Sequence, residues 1–179
     1  TAWFDSYFQA ILQRDVRDLA HLEQLAEMPH LLQLLAVRSG SLLNFAELSR
    51  ACALPQTTLK RYFTLLETLF LVARLPSWEK NPGKRLVKAP KVFLPDSGLL
   101  AHLAGWTAEG LARQPGLPGG LVETFVLSEL SKHLAFSRLR PGLWHYRTQA
   151  NQEVDFVLEG RDGGLVGVEV KASASVDGK

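Results

Sequence analysis

Sulfur is scarce in this chain: one cysteine and one methionine among 179 residues. A lone Cys52 cannot close an internal disulfide, which excludes a cross-linked secreted scaffold and fits a reducing compartment. Long apolar runs are also missing. Leu31-Leu32-Gln33-Leu34-Leu35-Ala36-Val37 falls far short of the roughly 20 residues a transmembrane helix needs. No basic-then-apolar leader opens the chain, so it reads as cytoplasmic with no membrane partner. The first residue, Thr1, points to a fragment or a processed product. There is no internal repeat and no low-complexity segment. His21, His30, His102 and His133 show no metal-ligand spacing, and Ser128-Glu129 and Ser173 have no partnered base, so a hydrolytic triad is unsupported. A phosphate-binding G-x-x-x-x-G-K-[ST] loop is absent too. Pro82-Gly83-Lys84-Arg85 lacks its first glycine and its hydroxyl residue, so no nucleotide site is expected here.

What remains is ordinary globular composition, 46% hydrophobic and 21% charged. That is enough for one large domain or two small ones. The net charge of +2 is too small to imply a partner, but its distribution is uneven. Residues 1–95 carry twelve Lys/Arg against eight Asp/Glu, and residues 96–179 carry eight against ten. The excess gathers at Lys80, Lys84, Arg85, Lys88 and Lys91, opposed only by Glu79, a modest pointer to a polyanion.

Apolar periodicity predicts a helix over 3–28 ended by Pro29, and a second over 30–38 closed by Ser39-Gly40. A third starts at Asn44, an N-cap with Glu47 at N3, and runs to Cys52. A fourth covers 56–69. Phe70 to Leu75 is a strand candidate, and Lys91-Val92-Phe93-Leu94 is its antiparallel partner. Two short helices, a tight turn and a hairpin are the layout of a winged helix-turn-helix. There the second helix enters the major groove and the hairpin touches backbone. Its exposed early positions here would be Thr57, Thr58, Lys60 and Arg61, and the wing would supply Lys80, Lys84, Arg85 and Lys88. The alternative for this unit is a protein-contact module.

The second half has a different rhythm. A helix including Leu99, Leu100 and Leu103 leads to Gly116-Leu117-Pro118-Gly119-Gly120, which reads as a hinge-like linker. A helix over 121–134 and three strands follow, at 143–148, 153–158 and 165–172, with turns suited to a meander. In the last strand Val166, Val168 and Val170 share one face, leaving Glu169 and Lys171 on the other. In the strand before it, Asp155 lies opposite Val154, Phe156 and Leu158. An acid in one strand and Glu-x-Lys in the next is a pattern of metal-dependent phosphodiesterases. The carboxylates would hold Mg²⁺ or Mn²⁺, and the lysine would stabilise phosphate charge. Glu123 sits on the apolar stripe Glu123, Leu127, Leu130, Leu134, where a lone carboxylate needs a partner. The plain alternative is a structural Glu–Lys ion pair beside an unrelated aspartate. His145 reads as a half-exposed strand residue, and Trp78 and Trp106 as packing anchors.

Several stretches carry a wider likeness. They include Trp3-Phe4-Asp5-Ser6-Tyr7, Arg14-Asp15-Val16 and Leu35-Ala36-Val37-Arg38-Ser39-Gly40. Lys84 to Phe93, Asp96-Ser97-Gly98-Leu99-Leu100 and Val122-Glu123-Thr124-Phe125-Val126 continue them. Tyr146-Arg147-Thr148, Glu153-Val154-Asp155-Phe156 and Val168-Glu169-Val170-Lys171 complete the set. In these the chain resembles the C-terminal region of a large family of prokaryotic AAA+-type ATP-binding proteins. The resemblance implies an α+β fold: a helical arm and winged helix over 1–95, then a PD-(D/E)xK nuclease-like domain over 96–179. It makes Glu123, Asp155, Glu169 and Lys171 the candidate catalytic site, with Glu123, Asp155 and Glu169 as metal ligands. The expected partners are DNA and the ATPase domain that precedes this region in the family. Nuclease-like domains of this type usually continue with another helix and strand, so a chain ending at Lys179 reads as truncated, with an open sheet face or a homo-oligomer as the consequence. The expected function is DNA binding with a nuclease-like site; the alternative is a non-catalytic interaction or regulatory module on the same fold.

Overall fold

A computed structural model describes residues 2–10, 27–148 and 150–172. The predicted first helix appears as α1 (Ala2–Ala10), and its continuation lies outside the described residues. Phe4 stacks on His102 at 5.2 Å and Asp5 pairs with the same ring at 2.9 Å, which docks α1 on the later helix α6.

Helix α2 (Met28–Val37) buries Met28, Leu31, Leu32, Leu35 and Ala36. Pro29 lies in its first turn, where a missing N–H costs nothing, and so helps to start this helix; the end of the predicted first helix lies outside the described residues. Helix α3 (Phe45–Cys52) begins where the cap predicted: the Asn44 side chain accepts from the N–H groups of Ala46 and Glu47. Helix α4 (Gln56–Thr68) packs Leu59, Tyr62, Phe63 and Leu66 inward. The strand expected from Phe70 starts three residues later. Phe70 takes a positive φ of 57° and is exposed, while the N–H groups of Leu71 and Val72 still bond to Leu66 at the end of α4.

Strand β1 (Ala73–Leu75) pairs antiparallel with β2 (Lys91–Phe93). On the other side of β2, Leu42 bridges Lys91, and Gly40 and Leu43 donate to Val92 and Pro90, both at 2.8 Å. A short α5 (Pro82–Arg85), capped by Asn81, lies in the connection between the two strands. Helices α6 (Ser97–Leu103) and α7 (Ala108–Ala112) start at the side-chain caps Asp96 and Thr107. Gly119 and Gly120 are no linker: they open α8 (Gly119–Phe136), and a Cβ on Gly120 would lie 2.5 Å from the Ser39 carbonyl oxygen. Glycine is therefore needed there for the close approach.

The meander forms as read, with β3 (Gly142–Arg147), β4 (Glu153–Glu159) and β5 (Leu165–Val168) antiparallel in that order. β5 ends at Val168, short of the predicted 172, because the next backbone donor, Val170 N–H, turns to the Asp155 carboxylate at 3.0 Å. The chain is thus a mixture of helices and small antiparallel sheets. One apolar cluster joins α2, α3 and α4 to Leu99 and Leu100; a second joins Leu75 and Phe93 of the hairpin to Leu127 and Phe156. No helix among the described residues is long and apolar enough to cross a membrane.

Candidate functional site

Strand β2 has neighbours on both edges and α8 and β4 nearby, so a side chain at its first position has no route to water. Lys91 stands there with its side chain 2% exposed. Its ammonium lies 2.7 Å from Glu153 Oε1, 3.2 Å from Glu123 Oε2 and 3.2 Å from Asp155 Oδ1. A buried ammonium is tolerated only when paired in this way. Burial opposes the charge of Lys91. The Glu153 hydrogen bond and the fields of Glu123 and Asp155 outweigh it, holding Lys91 above the ordinary lysine value. Glu123 moves upward as well, first from burial, with Asp155 adding repulsion against the pull of Lys91. Gly40, at φ +87°, lies beneath that glutamate: a Cβ there would stand 2.9 Å from Glu123 Oε2. Beside it the buried Ser39 hydroxyl meets Thr124 of α8 at 2.8 Å and accepts from Leu94 N–H at 3.2 Å.

Glu123 and Asp155 therefore converge, and they do so on Lys91, which the sequence places in the basic excess that points to a polyanion. Glu153 completes the cluster and was not singled out, although Glu-x-Asp in one strand puts two carboxylates on one face. Arg147 holds the other oxygen of Glu153 at 3.4 Å. Glu169 and Lys171 are half-exposed and paired with each other at 2.5 Å rather than with Lys91, while the backbone N–H of Val170 between them bonds to Asp155. Lys171 is raised mainly by that glutamate, with Asp155 the weakest contributor.

These residues do not fit a divalent ion. One oxygen from each of Glu123, Glu153 and Asp155 is already turned to an ammonium, and the second oxygen of Asp155 accepts from Val170. A metal ligated by Glu123 and Asp155 would stand close to the fixed charge of Lys91. Among the described residues, no group of three His, Cys, Asp or Glu side chains is arranged to hold a metal.

The expected DNA-contacting residues separate into two sets. Thr57, Lys60 and Arg61 are exposed along the first half of α4 and Thr58 is half-buried, with Lys60 5.7 Å above the Phe45 ring. Lys80 and Lys84 are exposed on the connection between β1 and β2. Arg85 is engaged internally: it grips Glu159 with two bonds, of 2.5 and 2.8 Å, and lies 5.5 Å from the Trp78 ring and 4.8 Å from that of Trp144. Lys88 pairs with Glu79 and donates to the Arg147 carbonyl at 3.2 Å. His145, expected to be half-exposed, is 1% exposed because the β1–β2 connection runs over it: His145 N–H donates to Pro76 O and Trp78 N–H to His145 O. Burial lowers its pKa to about 4, so the ring is neutral.

Fold and site define an α+β region in which a helical half with a small hairpin packs on a helix-plus-meander half, with a buried lysine among the contacts between them. Residues 1–110 match the family described as Domain of unknown function (DUF8612), and the chain belongs to that family. Residues 118–179 match a second, Domain of unknown function (DUF4143). Two mycobacterial relatives, Uncharacterized protein Mb2031c of Mycobacterium bovis and Uncharacterized protein Rv2008c of Mycobacterium tuberculosis, are each 35% identical over 175 residues. The match takes in 97% of this chain and 38% of each relative, so the chain spans well under half of their length. No solved structure matches the chain.

Proposed function

We propose that this chain is a non-catalytic, DNA-associated regulatory module that keeps a nuclease-like second half. The observation that carries the reading is the Lys91 ammonium at the centre of Glu123, Glu153 and Asp155, where hydrolysis would call for a metal. The order α2, Leu42 bridge, α3, α4, β1, β2 supports a winged-helix reading of the first half. Thr57, Lys60 and Arg61 on the free face of α4 are the residue types that meet phosphates and base edges. The likeness to the C-terminal region of AAA+-type proteins makes an ATPase domain the natural partner, with this module linking its nucleotide state to DNA.

One assay separates this from a Mg-dependent nuclease with Glu123, Asp155, Glu169 and Lys171 as its site. Duplex DNA binding is followed by fluorescence anisotropy over a salt series, and cutting of supercoiled DNA is scored with Mg²⁺, with Mn²⁺ and without metal. Binding should weaken steeply with salt. Lys60→Ala and Arg61→Ala should each lower the logarithmic salt slope by about one. No cutting should occur. Metal-dependent cutting abolished by Asp155→Asn would overturn the proposal in favour of the nuclease.

A further inference from the structure

The register of the meander lines up Gly142, Glu159 and Leu165 across its three strands, so the α8–β3 turn and the β4–β5 turn meet at one end of the sheet. The α8–β3 turn is held from within. Ser137 closes α8, its hydroxyl accepts from Leu139 N–H at 3.2 Å, and Arg140 takes a positive φ of 44°. Four apolar side chains stand uncovered at this end: Phe136 (90% exposed), Leu139 (77%), Val166 (59%) and Leu165 (48%). Arg138, Arg140 and Arg161 share the two turns with them, all exposed and, among the described residues, without an ion-pair partner. Acid is scarce there. Residues 131–152 contain no aspartate or glutamate, Glu159 is held by Arg85, and Asp162 accepts from Gly164 N–H at 3.0 Å. Exposed apolar patches of this kind mark protein or membrane contact sites, and this one carries positive charge.

We propose that this end of the meander docks on a membrane surface rich in anionic phospholipid. A second copy of the chain would set unpaired arginines against unpaired arginines, and a nucleic acid gains nothing from three aliphatic side chains. The headgroup region of a bilayer offers both complements at once: phosphates for the guanidinium groups, and an acyl boundary for Phe136 and Leu139. Near-full exposure of those two side chains on a turn suits a soft surface that yields around them. The contact is peripheral, since no described helix could span a bilayer. It uses none of the α4 residues read as the DNA face, so it goes beyond that reading and does not depend on it.

The test is co-sedimentation of the protein with vesicles of phosphatidylcholine alone and of phosphatidylcholine mixed equally with phosphatidylglycerol, at low and high salt. Binding should require the anionic lipid and fall at high salt, where exposed charges are screened. Arg138→Gln and Arg140→Gln should each weaken it about fivefold. Phe136→Ser should weaken it about tenfold or more, with Leu139→Ser as a second apolar variant. All four side chains are exposed, so the thermal midpoint of the free protein should not move. Lys60→Ala should leave vesicle binding unchanged. Duplex DNA is titrated alongside, and there Arg138→Gln should have no effect. Four results would each overturn the proposal: no binding to anionic vesicles, equal binding to both vesicle types, unchanged binding in Phe136→Ser and Leu139→Ser, or an effect of Lys60→Ala as large as that of Arg138→Gln. Loss of DNA affinity rather than vesicle affinity in Arg138→Gln would make this end a nucleic-acid surface and overturn it as well.

Discussion

Replacing Lys91 by methionine keeps the length and apolar stem of the side chain and removes its charge. In the native protein that charge stands within 3.2 Å of Glu123, Glu153 and Asp155. At an effective dielectric of about 20, each contact has a gross attraction of roughly 5 kcal/mol, opposed by repulsion among the carboxylates and by the cost of burying the ammonium. Removing one partner of a buried ionic cluster typically costs about 3–5 kcal/mol. Against a total stability of about 5–15 kcal/mol the variant still folds, with a urea midpoint lower by roughly 2 M. It also leaves three carboxylates around an apolar tip, so divalent cations should now stabilise the protein. At a hundredfold excess over its dissociation constant, Mg²⁺ would restore about 2.7 kcal/mol. Urea unfolding of wild type and Lys91→Met, each with and without Mg²⁺, reads all of this. The wild type should show no Mg²⁺ dependence, and adding Glu123→Gln and Asp155→Asn should recover most of the lost stability. A loss below about 1 kcal/mol would show that the cluster does not stabilise the fold. Equal Mg²⁺ stabilisation of wild type and variant would show that the carboxylates take a metal beside Lys91, and the reasoning would fail.

Gly120→Ala should destabilise by about 1–3 kcal/mol, although alanine is favoured in helices by about 1 kcal/mol. The new Cβ would lie 2.5 Å from Ser39 O, and a raised thermal midpoint would refute the close contact. Burial holds His145 near 4 against an ordinary 6.5, so below 6.5 the unfolded chain takes up this proton first. Its contribution is complete above pH 6.5 and is lost as pH falls towards 4, by up to about 3 kcal/mol. Glu123 shifts the opposite way, so the measurement is the difference in unfolding free energy between wild type and His145→Gln across that window. A difference that does not change with pH would sink the assignment. Arg85→Ala should cost about 1–2 kcal/mol and change the fluorescence of Trp78 and Trp144. It should leave the salt slope of DNA binding unmoved; a lower slope would mean that Arg85 reaches the phosphates.

Local chemistry wrote much of this fold legibly into the sequence. Asn44 starts α3 because its side chain satisfies free amide donors within three residues, and the alternation in β3, β4 and β5 sets their faces. Glu123 was recognisable as a carboxylate needing a partner because it interrupts an apolar stripe at helical spacing. Which partner it meets was not legible. Lys91, Arg85 and Lys88 look alike in a row of basic residues with exposed neighbours, yet Lys91 is enclosed by strands and a helix while Arg85 and Lys88 are tied to Glu159 and Glu79. His145 looked half-exposed because alternation says which face a side chain takes, not what covers that face. Periodicity and caps act over a few residues, so the sequence by itself determined the elements and the faces they present. Burial and charge pairing depend on segments far apart in the chain, such as Gly40, Lys91, Glu123 and Asp155, and only their packing decided that the carboxylates surround an ammonium.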